Sequence, residues 1–484
     1  MTDLTAPDAA LAPPPPPSPP SPRPPRERSK GSGLFRAIWR WHFFASFLVI
    51  PVLLVLAVTG LIYLFRFQLE PLMHPDLMKV DVPSADAVQQ PYSAQLAAVR
   101  QTYPDVTVMS MAEPREEGRA TVFSVTTADG EGRDVFVDPY VPEVLGSLNP
   151  DSTLSGTAVR LHADLMSGTL GDRFLELGVC WAIVMALTGY YLFVRGWRAR
   201  RRMRKANRKG ARLRSRHGVA GAVVGVGLLT LLISGLPWTG LWGAKVQEIA
   251  TDRGTSMWSL DHGAASDPLS TLDESLPHSH SVDLPWAQQK TEVPKSDPEG
   301  HEGSVANVDT AIAVAGGEGL RHPMTVTIPS DEGGVFSVIG YAFDAPSDER
   351  TVHVDQYGGQ VVSTYGFDDY PALAKVVAHG IGLHEGRSLG LASFWGAALM
   401  CVLIVFMCIS GPLMWWRRRP SGAGRVGAPR GKLPLRATPL LLVALVGLGL
   451  LLPLFGISLL VVLALDQLVL RRIPALGGFF DTVR

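Results

Sequence analysis

Four histidines, placed at repeated distances from hydroxyl residues, offer the clearest chemistry in this chain. His42 lies 17 residues before Thr59, and His217 lies 17 before Ser234. His162 lies 26 before Thr188, and His384 lies 26 before Ser410. Every one of those hydroxyl residues is followed by glycine: Thr59-Gly60, Thr188-Gly189, Ser234-Gly235 and Ser410-Gly411. Neutral imidazole is the commonest biological metal ligand, and helix bundles hold haem iron through axial histidines. Small residues permit close approach of helices or of a flat macrocycle. The matched spacings read as an internal duplication of a unit made of span, polar segment and span. No Cys-x-x-Cys-His is present, so haem held by these residues is haem b, without thioether bonds.

The remaining histidines carry weaker signals. His379 precedes His384 by five residues and is the alternative outer ligand, but its spacing has no counterpart in the first unit. His278-Ser279-His280 has metal-binding residue types in a stretch whose polarity favours a solvated loop. His262, His301 and His322 lie in or near the same stretch, and His353 sits in a strand-like run where a structural role is the simplest reading.

The elements that must position these residues follow from composition. Of 484 residues, 46% are hydrophobic and 18% charged, with 44 Lys+Arg balancing 44 Asp+Glu. That mix is too apolar for a soluble protein and too polar for membrane helices alone. The overall balance argues against a nucleic-acid partner. The three cysteines, Cys180, Cys401 and Cys408, all lie in apolar runs and exclude a disulfide scaffold. Charge is segregated: residues 195–217 hold twelve Lys/Arg and no acid, 67–173 hold sixteen acids against seven bases, and 243–393 hold twenty-two against eight. Under the positive-inside rule this is a polytopic membrane protein with a cytoplasmic N-terminus and two acidic extracytoplasmic domains. His42 and His217 then sit at the cytoplasmic edge, and His162 and His384 at the outer edge.

The predicted organisation is a disordered Pro-rich tail (1–33) and a first span (34–66), then an extracytoplasmic domain (67–173) and a second span (174–195). A basic loop (196–216) and a third span (217–242) lead to a second domain (243–390) containing a polar loop (255–303). A fourth span (391–416), a basic loop (417–436), a C-terminal apolar segment (437–472) and a tail (473–484) complete it. The C-terminal segment reads as one span, with a hairpin broken at Pro453 and Gly456 as the alternative, giving five spans or six. Strand alternation predicts α+β domains: a helix at Pro91–Tyr103 and strands at Val106–Met111, Ala120–Thr126, Asp134–Val137 and Glu143–Leu148. The second domain repeats the pattern at Met324–Ile328, Val335–Ala342, Thr351–Asp355 and Gln360–Ser363. Gly168 and Gly171, and Gly386 and Gly390, are expected to break the long helices that follow His162 and His384.

Several runs are similar to those of the PepSY-associated transmembrane proteins. They are Ile38-Trp39-Arg40-Trp41-His42-Phe43-Phe44 with Thr59-Gly60, Leu161-His162 with Thr188-Gly189-Tyr190-Tyr191, and Leu383-His384-Glu385-Gly386-Arg387 with Ser410-Gly411. The polar segments resemble PepSY domains at Val137-Asp138-Pro139-Tyr140 and Val354-Asp355-Gln356-Tyr357-Gly358-Gly359, although the usual Thr-Gly of that turn is Val141-Pro142 in the first copy. The resemblance implies an α-helical polytopic membrane protein with four core spans, a C-terminal apolar segment and two small PepSY-like α+β domains, often associated with iron supply. It includes haem-b reductases that pass electrons to ferric siderophores. Carried onto this chain, it implies two haems b, with His42 and His217 as axial ligands inside and His162 and His384 outside.

No nucleotide-binding loop or nucleophile elbow occurs, so a reductase of this sequence takes electrons from a separate cytoplasmic donor. The expected partners are membrane lipids, that donor and a ferric siderophore. The acidic outer segments point to a neutral or cationic chelate unless a local basic patch exists. The rival reading is a non-enzymatic PepSY protein that binds an extracytoplasmic peptide, metal complex or partner protein.

Overall fold

The structure is a computed structural model that describes residues 30–206, 210–258, 270–272, 274, 276, 284–296, 306–340, 345–418, 426–427 and 439–480. The Pro-rich tail up to residue 29, and His262, His278, His280 and His301, lie outside the described residues. Among the described residues, five helices are long and apolar enough to cross a membrane: Gly33–Leu64, Gly168–Lys205, Ala211–Trp238, Leu391–Trp416 and Pro453–Leu470.

The first long helix, α1 (Lys30–Leu64), runs through Pro51 without ending, as helices in apolar surroundings can when neighbours support the freed backbone. Two short helices, α2 (Arg66–Met73) and α3 (Pro75–Met78), carry the chain into the first polar segment. There α4 (Tyr92–Thr102) precedes an antiparallel meander of β1 (Thr107–Ala112), β2 (Thr121–Thr126), β3 (Gly132–Val137) and β4 (Val144–Leu148). The return to the bundle is α5 (Leu154–Asp164), which bears His162, followed by α6 (Gly168–Lys205). Between them Leu165, Met166 and Gly168 have positive φ, so the chain turns sharply rather than extending one helix from His162. The predicted basic loop is largely helical: α6 continues to Lys205 and α7 (Ala211–Gly235) begins soon after.

The second unit follows the same path. After α8 (Trp242–Asp252) come the small hairpin β5 (Ser270–Thr271) and β6 (Glu292–Val293), then α9 (Val308–Gly317). A second meander has β7 (Thr325–Thr327), β8 (Val335–Gly340), β9 (Arg350–Asp355) and β10 (Val361–Gly366). Next is α10 (Ala372–His384), then Gly386 and Gly390 at positive φ, then α11 (Leu391–Trp416).

The two polar segments are not separate domains. Strand β1 pairs antiparallel with β7, with Met111 opposite Val326, and fuses both meanders into one eight-stranded sheet of order β10-β9-β8-β7-β1-β2-β3-β4. One continuous core results, joining Met111, Phe123 and Val125 to Val326, Val338 and Val352. Side chains also cross the junction. The Asp309 carboxylate of α9 accepts from the backbone amides of Tyr92 and Ser93 at the start of α4, at 2.6 and 3.0 Å. Described residues of the predicted polar loop pack on the sheet: Leu272, Leu276, Leu284 and Val293 lie against Val335 and Ile339.

The C-terminal apolar segment folds back on itself. After α12 (Pro439–Leu451), the chain turns at Leu452 into α13 (Pro453–Leu465), and Gly449 packs against Gly456 with no room for a side chain between them. Thirteen residues make about 20 Å of helix, and the turn's Leu451 carbonyl accepts from the Trp242 indole at 3.0 Å. The last described helix is α14 (Pro474–Phe479), after which the Phe480 carbonyl accepts from Arg40 at 3.1 Å.

Candidate functional site

Each of the four histidines meets a hydroxyl-glycine pair, and the pair belongs to a different helix from its own. His42 Nδ1 lies 3.1 Å from the Thr188 hydroxyl, and His162 Nδ1 lies 2.9 Å from that of Thr59. His217 Nδ1 lies 2.8 Å from the Ser410 hydroxyl, and His384 Nδ1 lies 3.1 Å from that of Ser234. His42 Nδ1 also donates to the Met185 carbonyl at 3.0 Å. A carbonyl only accepts, so the proton is on Nδ1 and Nε2 keeps its lone pair. The carbonyls of Leu56 and Leu231 bear on His162 and His384 in the same way.

The glycine has a separate task. A Cβ on Gly189 would lie 3.2 Å from His42 Cε1, and one on Gly235 would lie 3.2 Å from His384 Cε1. Gly60 faces His162 at 3.5 Å and Gly411 faces His217 at 4.0 Å. Each hydroxyl donates to a carbonyl of its own helix and so accepts from Nδ1, which sets the ring's rotation and tautomer, and the glycine makes space for its flank.

These contacts gather into two sites. Near one end of the bundle α1, α6, α7 and α11 bring together His42, Thr188, His217 and Ser410, and the two imidazoles are close enough to interact electrostatically. Towards the sheet, α1, α5, α7 and α10 bring together Thr59, His162, Ser234 and His384, with the imidazole centroids 6.1 Å apart. The 17-residue spacing is the distance between the sites along α1 and α7, about 25 Å of helix.

The His162/His384 pair lines a cavity of about 1040 Å³. Its deep end is apolar, walled by Leu53, Leu228, Leu232 and Ile404, and its other end reaches Arg115, Arg321 and Trp286 beside the sheet. The charged lining is balanced: Arg66, Arg115, Arg321 and Arg387 against Asp172, Glu176, Asp348 and Glu385. The acidic character of the segments as a whole therefore does not extend to the cavity wall. Trp238 meets His384 edge to face at 5.5 Å, and Trp286 follows it at 6.4 Å.

Ion pairs tie this wall to the sheet. Arg387, three residues after His384, reaches the buried Glu349 at 2.8 Å and Glu385 at 2.6 Å. Glu176 is fully buried and accepts from the amides of Leu241 and Trp242 at 3.0 and 3.1 Å, the bonding a buried carboxylate requires. Sequence reasoning quoted Arg387 only as part of the His384 motif and gave no site role to it, to Glu176 or to the tryptophans. The signal open to it for Arg387 was the continuation of the His384 motif.

The other histidines lie apart. His379 packs edge to face on Phe367 at 5.1 Å and is not among the residues lining the cavity. His322 Nδ1 lies 2.7 Å from Glu113. His353 is buried in β9, bonded to Ser337 at 2.8 Å, and burial pushes its pKa down to about 4.

Among the described residues no group of three or more His, Cys, Asp or Glu is gathered for a metal. Two imidazoles with free Nε2 atoms, set in apolar surroundings, suit a metal that brings its remaining ligands with it, as haem iron does. The residues present therefore fit haem.

A bundle of apolar helices carrying a sheet formed by two polar segments defines a multi-pass membrane protein. The chain belongs to the PepSY-associated TM region family, whose model matches residues 39–418. No curated protein is a significant match to it.

Proposed function

We propose that this chain is a haem-b electron conduit of the cytoplasmic membrane that reduces an extracytoplasmic ferric chelate, such as a ferric siderophore, with electrons from a cytoplasmic donor. The observation that carries this reading is the fourfold hydroxyl-imidazole arrangement, which leaves an Nε2 lone pair on each of two facing histidine pairs. His42 and His217 would hold one haem and His162 and His384 the other; bound there, haem supplies one-electron chemistry. The protein's own contributions are the fixed tautomers, the glycine clearance and an apolar wall that keeps bulk water from the deep end of the outer cavity.

The mouth of that cavity is where a chelate would bind. Its balanced arginines and carboxylates, with Trp238 and Trp286 beside His384, accommodate a chelate with little net charge or one with a localised anionic group. One electron added to Fe(III) gives Fe(II), which hard oxygen donors hold far less tightly, and the iron is released.

The test is the absorbance spectrum of the purified chain from haem-replete cells. Sharp b-type bands on dithionite reduction, diminished in part by His42→Ala or His217→Ala and in part by His162→Ala or His384→Ala, are the expected result. A colourless protein would sink the reading and leave a binding protein for an extracytoplasmic peptide, metal complex or partner. Bands that survive loss of the outer pair but fall with His379→Ala would reassign that site.

A further inference from the structure

The end of the bundle away from the sheet holds a cluster of cations that the histidine sites do not account for. The guanidinium of Arg214 (α7) lies 5.2 Å from the centre of the Trp39 ring (α1), and that of Arg418, just past α11, lies 5.4 Å from the same ring. Arg200 of α6 packs on Phe193 at 4.4 Å and bends back to donate to the carbonyls of Leu192 and Phe193. Gly196 and Gly218 leave space for it: a Cβ on either would lie 3.0 or 3.6 Å from the Arg200 side chain. Arg214 is close enough to both Arg200 and Arg418 for their charges to repel it.

Such a cluster needs compensation, and among the described residues none of the three arginines forms a salt bridge. The stretches that carry them hold no acid either: residues 30–69, 195–217 and 417–437 contain neither Asp nor Glu, and the acids next to these stretches at the two chain ends, Glu27 and Asp481, lie outside the described residues. Arg214 and Arg418 over the Trp39 ring, with Arg200 close enough to repel Arg214 and no carboxylate paired with any of the three among the described residues, form a receptor for an oxyanion, which arginine binds through paired N–H donors. Position narrows the ligand further. Trp39 lies three residues before His42, and Arg214 three before His217, so the cluster sits about one helical turn from that pair.

We propose that Arg214 and Arg418, which both lie over Trp39, form with the neighbouring Arg200 an oxyanion-binding site for the carboxylate or phosphate of an amphiphilic ligand. Two sources have this chemistry. One is the propionate carboxylates of a haem on His42 and His217, and this source rests on the function proposed above. The other is the phosphate of an anionic lipid headgroup, which needs no haem.

The experiment uses the full chain in detergent as wild type, as Arg214→Gln/Arg418→Gln, and as Arg214→Lys, which keeps the charge. Arg204→Gln on the adjacent basic stretch is the control, and circular dichroism and gel filtration establish that each variant is folded. One arm measures haem retention against a scavenger and the midpoint potential. The other measures binding of phosphatidylglycerol against phosphatidylcholine by native mass spectrometry. If carboxylates are bound, the double variant loses haem about tenfold more readily and its potential falls, because nearby cations favour the reduced iron. If a lipid phosphate is bound, the haem is unaffected and the preference for phosphatidylglycerol falls about tenfold. In either case Arg214→Lys loses less than the double variant. A folded double variant unchanged in both arms overturns the proposal and leaves the haem reading standing. A colourless wild type removes the haem reading, and the lipid arm alone then decides this one.

Discussion

A hydroxyl bonded to Nδ1 acts on a histidine without touching anything the histidine binds. Thr59→Val keeps the side chain's volume and removes the bond to His162, so if the proposed haem is bound there, the variant should weaken its retention about 10- to 100-fold, the usual effect of removing a partner that orients a ligand. Thr59→Ser should restore it. Haem content after competition with a scavenger checks both, and an unchanged Thr59→Val would remove the positioning role. Gly235→Val tests the other half of the motif, since the added Cβ would meet His384 Cε1 at 3.2 Å and the valine methyls would crowd the ring further. The outer b-type signal should be lost while the one from His42 and His217 remains. The sequence displays these residue types but not their partners. His42 and Thr59 are linked by spacing yet lie at opposite ends of α1, and His42 meets Thr188 on α6. A periodicity along one helix reports axial distance, whereas a contact between helices depends on packing that no single segment encodes. A different residue sets a pH dependence. His353 has a folded pKa near 4 against 6.5 when unfolded, so below pH 6.5 the unfolded chain takes up the proton first. Stability should therefore be full above pH 6.5 and fall by roughly 3 kcal/mol as the pH drops through 4. Thermal melts of wild type and His353→Gln between pH 7 and 4.5 check this, and the variant should show a shallower slope.

At the scale of elements, the strands were legible because their side chains alternate, and every predicted strand overlaps an observed one. Their joining was not. The pairing of β1 with β7 links residues more than two hundred positions apart, and each strand alone reads only as a half-buried edge. The link has one side-chain feature open to test. Asp309 lies in the first turn of α9 but accepts from the first amides of α4, so it caps the helix of the other segment. Asp309→Ala leaves those amides without their acceptor and should cost about 1–2 kcal/mol, the range for loss of an N-terminal cap. Comparing denaturation of the variant with that of wild type measures it. If the two meanders were held by the β1–β7 pairing alone, the change would be negligible. Arg387 and Glu349 join the corner after His384 to the start of β9, a second tie between site and sheet that only the assembled fold reveals.

At the scale of the whole molecule, charge and geometry bear on the same question of how the chain crosses the membrane. In the proposed orientation, which rests on the segregation of Lys/Arg from Asp/Glu, the basic ends of α6 and α11 face the cytoplasm and the sheet lies outside. The C-terminal segment is where composition stops being decisive, because 33 largely apolar residues satisfy one long crossing or two short ones. The packing folds it into a hairpin. The turn at Leu452 lies against Trp242, just beyond the end of α7 that carries His384's partner Ser234, while Phe480 returns to Arg40 at the other end of the bundle. Asp466, the acid in this segment, is bonded to Arg471 at 2.8 Å and so enters the helix end as a neutralised pair. Both ends of the hairpin therefore lie with the basic loops. A fluorescent protein that folds only in the cytoplasm should be bright when fused after Arg484, and alkaline phosphatase at the same position should be inactive. Fusions near Lys205 should match that pattern, while phosphatase placed at Glu332 should be active. Phosphatase activity at the C-terminus alone would require one long crossing and contradict the contact between Gly449 and Gly456. Reversal at all three positions would instead invert the molecule and exchange the roles of the two histidine pairs.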